Sequence, residues 1–420
     1  MIPLLILKGF LSVFLITGGC LAAEEPPPEP NVARLGTFPD WSVLDKFQRT
    51  MTGAEFAYLL NHCYARDRDE YEGLIEIQSD RALIVKQSNH VGAGYYTLWF
   101  KEAAHLPGEP ETYWRDTYEM DDAPEASPRL LEGVKVAIDP GHIGGDWVRW
   151  DDRHFAIGMH TIEVREGEMT IRVARLLERD LGALGAIVQL TRYDNNPVTD
   201  LRPEGLYDEA RAYLMRKRMI PSSKRIKDTT KKMFAISSEI RSRAETLNEA
   251  FQPDIALCLH FNASPWGSRP SFRASNHLHL LINGCYSKWE ISEDDTRFEM
   301  VHRILQRIYY EELALAKDLA KTMAEETRLP PFDYGKGGSG KSVCESPYIW
   351  ARNLLANRAF MCPVVFFEPY CMNHREVHAR VQAGEYRGLR EFDGVYKKNI
   401  YQEYADGVTS GLVRYFKNRR

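Results

Sequence analysis

Short apolar runs that end at an ionisable side chain recur in the second half of the chain. Residues 134–138 lead through Asp-Pro-Gly to His142, residues 255–259 lead to His260, and residues 364–367 lead to Glu368. Such runs are typical of strands that are buried on both faces of a parallel sheet. Because open α/β sheets bind their ligands at the carboxyl ends of the strands, the pattern predicts a functional site at that edge.

A helical pattern lies between the first two of these runs. From Glu166 onward, apolar residues recur on one stripe of a helix, and residues 186–192 then form another strand, which completes a βαβ step. Further helices are predicted over residues 238–251, 311–326 and 401–416. The alternation of strands and helices predicts an α/β fold, with a mostly parallel, twisted sheet and helices on both of its faces.

The segment 41–106 has a different pattern, which predicts a small α+β domain of unknown role. Thr52 and Glu55 form a capping box ahead of a helix, and three stretches within residues 74–100 have the composition of strands. The aromatic residues at 95–99 could stack on sugar rings. Their alternation is more typical of core and cross-strand packing, which we favour.

The first residues have the character of an export signal. Residues 1–23 predict a signal peptide, because their apolar run is too short for a membrane span. Small residues up to Ala23 favour ordinary cleavage, whereas a lipoprotein-type site would leave Cys20 lipidated and anchor the protein to a membrane. Residues 24–40 are Pro-rich and residues 107–130 are polar, so both are predicted to be linkers. We expect an exported protein of the periplasm or cell envelope.

Composition excludes some functions. The 420 residues are 44% hydrophobic and 27% charged, which is enough material for more than one core. A formal net charge of -5 predicts no general affinity for nucleic acid. No Cys-x-x-Cys pair occurs among the 7 cysteines, so a structural zinc ribbon is not expected. The oligomeric state is not determined by any of these features.

The strand-end residues have the chemistry of a catalytic metal site. Two imidazoles and one carboxylate are a common ligand set for zinc, which leaves one position open for water. A second carboxylate, such as Glu368, can then take the proton of that water. Glu166, just ahead of the helical pattern, is a candidate third ligand. Residues in the same region that compete for these roles are Glu163, Glu168, His154 and His160.

From about Leu131 onward, the chain resembles the zinc-dependent N-acetylmuramoyl-L-alanine amidases, which hydrolyse peptidoglycan. The matching pieces occur in the order of that family: Ile-Asp-Pro-Gly-His to His142, Glu166 with its helix, Val-Gln-Leu-Thr-Arg to Arg192, Arg243 to Asn248, Cys-Leu-His-Phe-Asn-Ala to Ala263, and Pro-Val-Val-Phe-Phe-Glu-Pro-Tyr-Cys-Met-Asn to Asn373. Each piece is weak by itself, and the ordered set is specific. The resemblance implies an amidase domain over 131–420 with insertions near 201–236 and 286–310.

The resemblance also implies roles for individual residues. His142, Glu166 and His260 would bind one Zn²⁺ ion, and Glu368 would be the catalytic carboxylate. The substrate would be peptidoglycan, cleaved at the amide between the lactyl group of muramic acid and L-alanine. In addition, we expect Asp139 to support His142. We expect Asn262 to bind either the substrate or its own loop.

Other functions fit parts of the same pattern. A zinc carboxypeptidase-like wall peptidase can use the same ligand types, and a wall-binding or regulatory protein can retain the site without turnover. The basic insertion, with Arg216 to Arg218, is expected to be a solvated arm, although a lid or a contact with an anionic polymer is an alternative. His277 and His279 alternate along one strand and so share a face. They could bind a second metal ion, but a place facing solvent or substrate is favoured.

Residues 335–342 match the P-loop spelling G-x-x-x-x-G-K-[ST]. A P-loop requires a preceding strand and a following helix whose amino terminus binds phosphate. Pro330 and Pro331 precede this segment and Pro347 follows it, so neither element is expected. We interpret the match as accidental and predict a flexible loop at the rim of the site.

Overall fold

The computed structural model describes residues 39–86, 94–102, 112, 114–116, 119–122, 129–335 and 337–419. The predicted signal peptide, Cys20, most of the Pro-rich linker and most of the second linker lie outside the described residues. Across the described residues, no helix combines the length and the apolar character needed to span a bilayer.

The strands fall into four sheets. In chain order they are β1 (Ile75–Ile77), β2 (Arg81–Val85), β3 (Tyr95–Trp99), β4 (Lys135–Pro140), β5 (His154–Phe155), β6 (Val164–Arg165), β7 (Ile187–Leu190), β8 (Ile255–Leu259), β9 (Leu278–Ile282), β10 (Lys341–Ser342), β11 (Ile349–Ala351), β12 (Val364–Pro369), β13 (Leu389–Phe392) and β14 (Val395–Lys398).

The α-helices are α1 (Gly53–Leu59), α2 (Val148–Asp151), α3 (Glu166–Ala183), α4 (Tyr207–Arg216), α5 (Ser223–Lys231), α6 (Glu239–Thr246), α7 (Lys288–Ser292), α8 (Asp294–Leu305), α9 (Ile308–Thr327), α10 (Leu355–Ala359), α11 (Arg375–Gln382) and α12 (Ile400–Lys417). Short 3₁₀ or π segments flank several of them, including Trp41–Phe47 before α1 and Lys232–Ser238 between α5 and α6.

The central sheet has seven strands in the order β10-β11-β9-β12-β8-β4-β7. Neighbours are parallel from β12 through β8 and β4 to β7, and β11 is parallel to β9. The pairs β9–β12 and β10–β11 are antiparallel. The prediction of a mostly parallel sheet is confirmed. Because β4, β8 and β12 run in the same direction, their carboxyl ends meet at one edge.

Alternate residues of the central strands point to opposite faces of the sheet and belong to two separate hydrophobic cores. Val136, Ile138, Leu257 and Leu259 belong to a large core that also contains residues of α3, α9 and α12. Ala137, Ala256, Cys258 and Phe366 point to the opposite face, where they join residues of α6 and α10. Helices therefore cover both faces of the sheet, which explains why its strands are apolar throughout.

The N-terminal unit, which combines 3₁₀, α and strand elements over 41–99, packs directly on the α/β part. Its residues share the large hydrophobic core with α8, α9 and α12. Arg307, between α8 and α9, donates to Glu55 of α1 over 2.7 Å, and the Tyr286 N–H donates to the Tyr64 carbonyl over 2.6 Å. The predicted insertion near 286–310 thus forms the contact between the two parts of the chain.

Helix α8 carries an unusual number of charges for its position, since every one of its residues is buried. Buried ion pairs compensate these charges. Arg297 pairs with Asp294, and Arg358 of α10 pairs with Glu299 at 2.8 Å. Arg303 pairs with Glu312 of α9. A buried charge without such a partner would be strongly destabilising.

The segment near 201–236, which was predicted to be an insertion, contains the packed helices α4 and α5. Phe234 packs on Trp147 with ring centroids 5.6 Å apart, and Lys231 pairs with Asp152 at 2.5 Å. The insertion therefore packs against the loop that follows His142, while Lys224 and Arg225 face solvent.

The segment 335–342 does not have the geometry of a P-loop. Its last two residues form β10, an edge strand paired with β11, and the described residues that follow it form no helix before α10. The Lys341 ammonium donates to the carbonyls of Asn61 and Ala65, at 2.6 and 3.0 Å. This lysine ties the sheet edge to the N-terminal unit. Lys336 lies outside the described residues.

Candidate metal centre

His142, Glu166 and His260 come together at the carboxyl edge of the central sheet. His142 follows β4, Glu166 is the first residue of α3, and His260 follows β8. One ligand atom from each lies within 4.8 Å of the other two. We call this group the metal centre. Among the described residues, this is the one group of three or more His, Cys, Asp or Glu side chains whose ligand atoms lie this close together.

The distances within the metal centre converge on one carboxylate oxygen. Glu166 Oε1 lies 3.4 Å from His142 Nε2 and 3.2 Å from His260 Nδ1. The two imidazole rings are nearly perpendicular, with centroids 4.7 Å apart. His260 also stacks on Phe366 at 4.1 Å, so that the apolar wall of β12 fixes the plane of its ring.

The chemistry of the donors fits a divalent metal ion. Glu166 is 1% exposed, and its Oε1 accepts from the Phe261 N–H at 3.0 Å. Its Oε2 is buried and has no hydrogen-bond partner. A buried carboxylate oxygen without a partner is costly in a protein interior, and coordination to a cation would satisfy it. Two imidazoles and one carboxylate are a frequent ligand set of catalytic zinc.

A glycine is required at position 141 because the His260 imidazole occupies the space that a side chain would need. A Cβ atom built on Gly141 would lie 2.2 Å from Cε1 of His260, which no real contact allows. The following residue, His142, has a left-handed backbone with φ of 61°. The Asp-Pro-Gly-His sequence therefore lets the β4 terminus approach the β8 terminus closely.

Asp151, from α2, orients His142. Its Oδ2 lies 2.8 Å from His142 Nδ1 and accepts from the Ile143 N–H at 2.9 Å. Such a bond makes Nδ1 the protonated nitrogen and leaves Nε2, which faces Glu166, available to a metal. The sequence did not single out Asp151. The only signal was an acidic residue in the loop after a strand-end histidine.

Asp151 therefore makes the contact with the His142 imidazole that was expected of Asp139. Asp139 accepts from the Thr191 hydroxyl at 2.6 Å and from Arg243 at 3.2 Å. Its side chain leaves β4 toward α6, whereas the chain turns through Pro-Gly before it reaches His142. Arg243 also donates to the His142 carbonyl at 2.9 Å, so Asp139 supports the backbone of the loop rather than the imidazole.

The electrostatics of the metal centre favour ligands in their metal-binding forms. Burial alone would raise the pKa of Glu166, but the neighbouring His142 and His260 lower it to about 2. Burial would likewise raise the pKa of Asp151, and His142 lowers it to about 2. Burial lowers the pKa of His260, which keeps its imidazole neutral. Metal ions bind deprotonated carboxylates and neutral imidazoles.

Glu368 lies at the end of β12, half-buried beside the metal centre. Burial, followed by the negative charge of Glu166, raises its pKa to about 8, although Arg153 and Arg352 act in the opposite direction. A carboxyl group with a pKa near neutrality can both accept and release a proton. Sequence reasoning missed Arg153, which immediately precedes β5. The Arg153 carbonyl accepts from the Glu166 N–H.

The rival ligands are engaged elsewhere. Glu163 pairs with His154 at 2.7 Å and with Arg165 at 2.7 Å. Glu168 accepts from the Gly145 N–H at 3.2 Å, and His160 is exposed. His279 lies in β9 and His277 immediately precedes it; their ring centroids are 5.7 Å apart, and both residues are buried.

Asn262 serves its own loop. Its side-chain oxygen accepts from the Ala263 N–H at 2.7 Å, and its backbone bridges to Cys371 after β12. The contact of Asn262 with its own loop is therefore present, as one of its two expected roles requires. This bridge joins the two loops that carry His260 and Glu368.

No protein-family model and no curated protein matches the chain. Among the solved structures similar to it is the N-acetylmuramyl-L-alanine amidase Ami1 from Mycobacterium smegmatis, at 16% identity and a TM-score of 0.38, over 69% of this chain and 99% of that one. The catalytic domain of CwlV, N-acetylmuramoyl-L-alanine amidase from Bacillus (Paenibacillus) polymyxa var. colistinus, is 16% identical with a TM-score of 0.37, over 68% and 98% of the two chains.

The CwlD amidase from Clostridioides difficile, solved in complex with the GerS lipoprotein, is 11% identical with a TM-score of 0.38, over 68% of this chain and all of that one, 100%. Because these TM-scores are low, the function of the chain has to be argued from its own residues.

Proposed function

We propose that this protein is an exported, zinc-dependent N-acetylmuramoyl-L-alanine amidase. It would hold one Zn²⁺ ion through His142, Glu166 and His260. The observation that carries this proposal is the buried, unpartnered Oε2 of Glu166 beside two imidazoles, one of which is oriented by Asp151. The ordered motifs of the sequence add the reaction class, because they resemble those of the peptidoglycan amidases.

When bound, zinc would polarise the scissile carbonyl and lower the pKa of water in the site. Glu368 takes the proton of the attacking water as the new C–O bond forms. It then gives that proton to the leaving nitrogen as the C–N bond breaks. The same carboxylate serves both steps, because the proton that it gains first is the one that it returns. A raised pKa for Glu368 suits this exchange.

The rest of the molecule holds these groups in place. Asp151 fixes His142, the Phe261 N–H fixes Glu166, and the ring of Phe366 supports His260. Arg243 donates to the carbonyls of Pro140 and His142, which sets the path of the loop after β4. Each ligand is therefore held by a second contact, as metal sites require.

Peptidoglycan is the proposed substrate, cleaved between the lactyl group of muramic acid and L-alanine. The resemblance of the motifs supports the substrate class, and the apolar segment at residues 1–23 supports export. The net charge of -5 gives no reason to propose nucleic acid as a partner. Lipid anchoring through Cys20 is an alternative to soluble export.

Purified sacculi test the proposal directly. The zinc-loaded protein should release muramoyl glycans that lack peptide, together with intact stem peptides, as separated by chromatography and mass spectrometry. Shortened stem peptides would instead indicate a carboxypeptidase-like wall peptidase. Sedimentation of the protein with sacculi that stay uncleaved, with zinc bound, would indicate a wall-binding protein without turnover.

A further inference from the structure

A buried imidazole lies beside Glu368 and takes no part in the metal centre. His279 of β9 is directly opposite Glu368 of β12 in the antiparallel register. Residues paired in this way project from the same face of a sheet, with Cβ atoms about 4.5–5.5 Å apart. His279 is 2% exposed, and the adjacent rings of Phe332 and Tyr334 cover it, with centroids 5.0 and 5.5 Å away.

A short chain of hydrogen bonds favours one protonated nitrogen of His279. Arg352 Nη1 lies 3.3 Å from the Tyr334 hydroxyl, which lies 3.2 Å from His279 Nε2. A guanidinium can only donate, so the Tyr334 oxygen accepts from Arg352, which leaves the hydroxyl proton of Tyr334 available for Nε2. Burial lowers the pKa of His279 to about 3, so the ring is neutral. A neutral ring whose Nε2 accepts must carry its proton on Nδ1.

That Nδ1–H is a donor with no acceptor among the described residues. The nitrogen is buried and has no hydrogen-bond partner. A buried donor without an acceptor is costly and calls for an explanation. Its neighbour His277 differs in this respect, because His277 Nδ1 lies 3.1 Å from the Ser275 hydroxyl. The residue directly opposite His279 in the register of the sheet is Glu368, whose carboxylate can accept a hydrogen bond.

We propose that His279 is a positioning residue for Glu368: Tyr334 and Arg352 hold it as the Nδ1–H tautomer, and this unpartnered N–H receives the Glu368 carboxylate and orients it during proton transfer. The inference rests on the proposed function, in which Glu368 carries the proton. It assigns a role to three side chains that the resemblance to amidases left without one. Their joint effect is on the geometry of Glu368 and does not involve the metal ligands.

The tautomer can be observed without turnover. In the full-length protein labelled with ¹⁵N-histidine, the His279 resonances, identified by their loss in His279→Asn, should show a protonated Nδ1 and an unprotonated Nε2 at neutral pH. Tyr334→Phe removes the donor to Nε2 and should shift the ring toward the other tautomer. A protonated Nε2 in the wild type would overturn the inference.

Two substitutions separate the two nitrogens in catalysis. The amide of His279→Asn places an N–H near the position of Nδ1, whereas that of His279→Gln places one near Nε2. On sacculi, His279→Gln should lower kcat roughly ten- to hundredfold with KM unchanged, the range expected for a lost hydrogen bond to a charged group. His279→Asn should recover most of that loss, and His277→Asn, at the residue that precedes β9, should change kcat little. Equal losses in His279→Asn and His279→Gln, at matched thermal stability, would overturn the inference.

The Glu368→Gln background supplies a further check, because removing the group that is positioned should make His279 irrelevant. His279→Gln added to Glu368→Gln should lower the residual rate no further. An additive loss would overturn the inference. The two proposals also fail separately: a zinc-loaded wild type that leaves sacculi intact contradicts the proposed function. An active wild type, together with equal losses of kcat in His279→Asn and His279→Gln, contradicts only the role of His279.

Discussion

At the scale of single residues, the side chains of the metal centre are fixed by residues from other elements. Glu166 Oε1 accepts from the Phe261 N–H, and His142 Nδ1 contacts Asp151. The ligand set therefore has little freedom to rearrange, which agrees with the buried and unpartnered Oε2 of Glu166 as a place for a cation. Glu368 differs from the ligands, because its pKa is raised while that of Glu166 is lowered.

We expect Glu368→Gln to lower turnover to a small residual rate and to leave zinc bound. The amide cannot carry the proton, and loss of a general acid–base typically costs about 10²- to 10⁴-fold in rate. Release of stem peptides from sacculi measures the rate, and elemental analysis measures the zinc content. Loss of zinc from a folded Glu368→Gln protein would show that Glu368 is a ligand and not the proton carrier.

We expect Asp151→Asn to weaken zinc binding about 10- to 100-fold, the usual cost of losing a partner of a metal-bound histidine. Competition with a chelating dye measures the affinity. Asp152→Asn is a matched control, because Asp152 is adjacent in sequence but exposed and paired with Lys231. Equal affinities for the two variants would contradict the orienting role of Asp151.

The raised pKa of Glu368 has a consequence for the zinc-free protein. Its folded pKa of about 8 lies above the ordinary value of 4.5, so the folded state binds the proton more tightly. This contribution to stability is present below pH 4.5 and is lost as the pH rises toward 8. Urea unfolding should show a smaller loss between pH 5 and pH 8 in Glu368→Gln than in the wild type. Identical pH dependences would contradict the raised pKa.

At the scale of elements, the order of the strands assembles the site. β4, β8 and β12 are adjacent and parallel, so His142, His260 and Glu368 emerge at one edge. β9 then runs antiparallel beside β12 and brings His279 to the same face. The close approach of the β4 and β8 termini depends on Gly141, where a side chain would collide with the His260 ring.

We expect Gly141→Ala to displace His260 and to lower zinc affinity and activity together. The added methyl group would lie 2.2 Å from the imidazole, so either the ring or the loop must move. Zinc titration and the sacculus assay measure the two effects. Gly182→Ala in α3 is the control, since nothing lies within 4 Å of the added atom. There the change should stabilise the helix by roughly 0.5–1 kcal/mol. Unchanged zinc affinity in Gly141→Ala would show that the site tolerates the shift.

At the scale of the whole molecule, the N-terminal unit and the α/β part share one hydrophobic core. Phe47, Phe56 and Leu98 belong to the same core as Leu305 and Tyr415. Helix α8, buried along its whole length, lies between them with its ion pairs. Stability should therefore be a property of the two parts together.

We expect a chain that begins at residue 129 to be less stable than the full protein and prone to aggregate. Its truncation would expose apolar residues of α8 and α9, and would leave Arg307 without Glu55. Calorimetry and size-exclusion chromatography measure these effects. The full protein should unfold in a single transition. A soluble truncated chain with an unchanged Tm would show that the N-terminal unit is dispensable for stability.

What the sequence determined by itself follows from local pattern. Apolar runs placed the strands, the switch to helical spacing placed α3, and Asp-Pro-Gly marked the end of β4, because these signals depend on neighbouring residues alone. The mostly parallel sheet was predicted in this way. So was the meeting of His142 and His260 at one edge, since parallel strands must bring their carboxyl ends together. Glu166 was assigned as the third ligand through the resemblance to the amidases.

The tertiary structure decided which side chains meet across long distances in sequence. It gave His142 the partner Asp151 instead of Asp139, because a left-handed residue after Pro-Gly turns the ring away from the strand. It buried the charged helix α8 through ion pairs that no local pattern reveals. It also placed His279 opposite Glu368, because the insertion of an antiparallel strand between β11 and β12 is a property of the sheet order, which local apolar patterning does not encode.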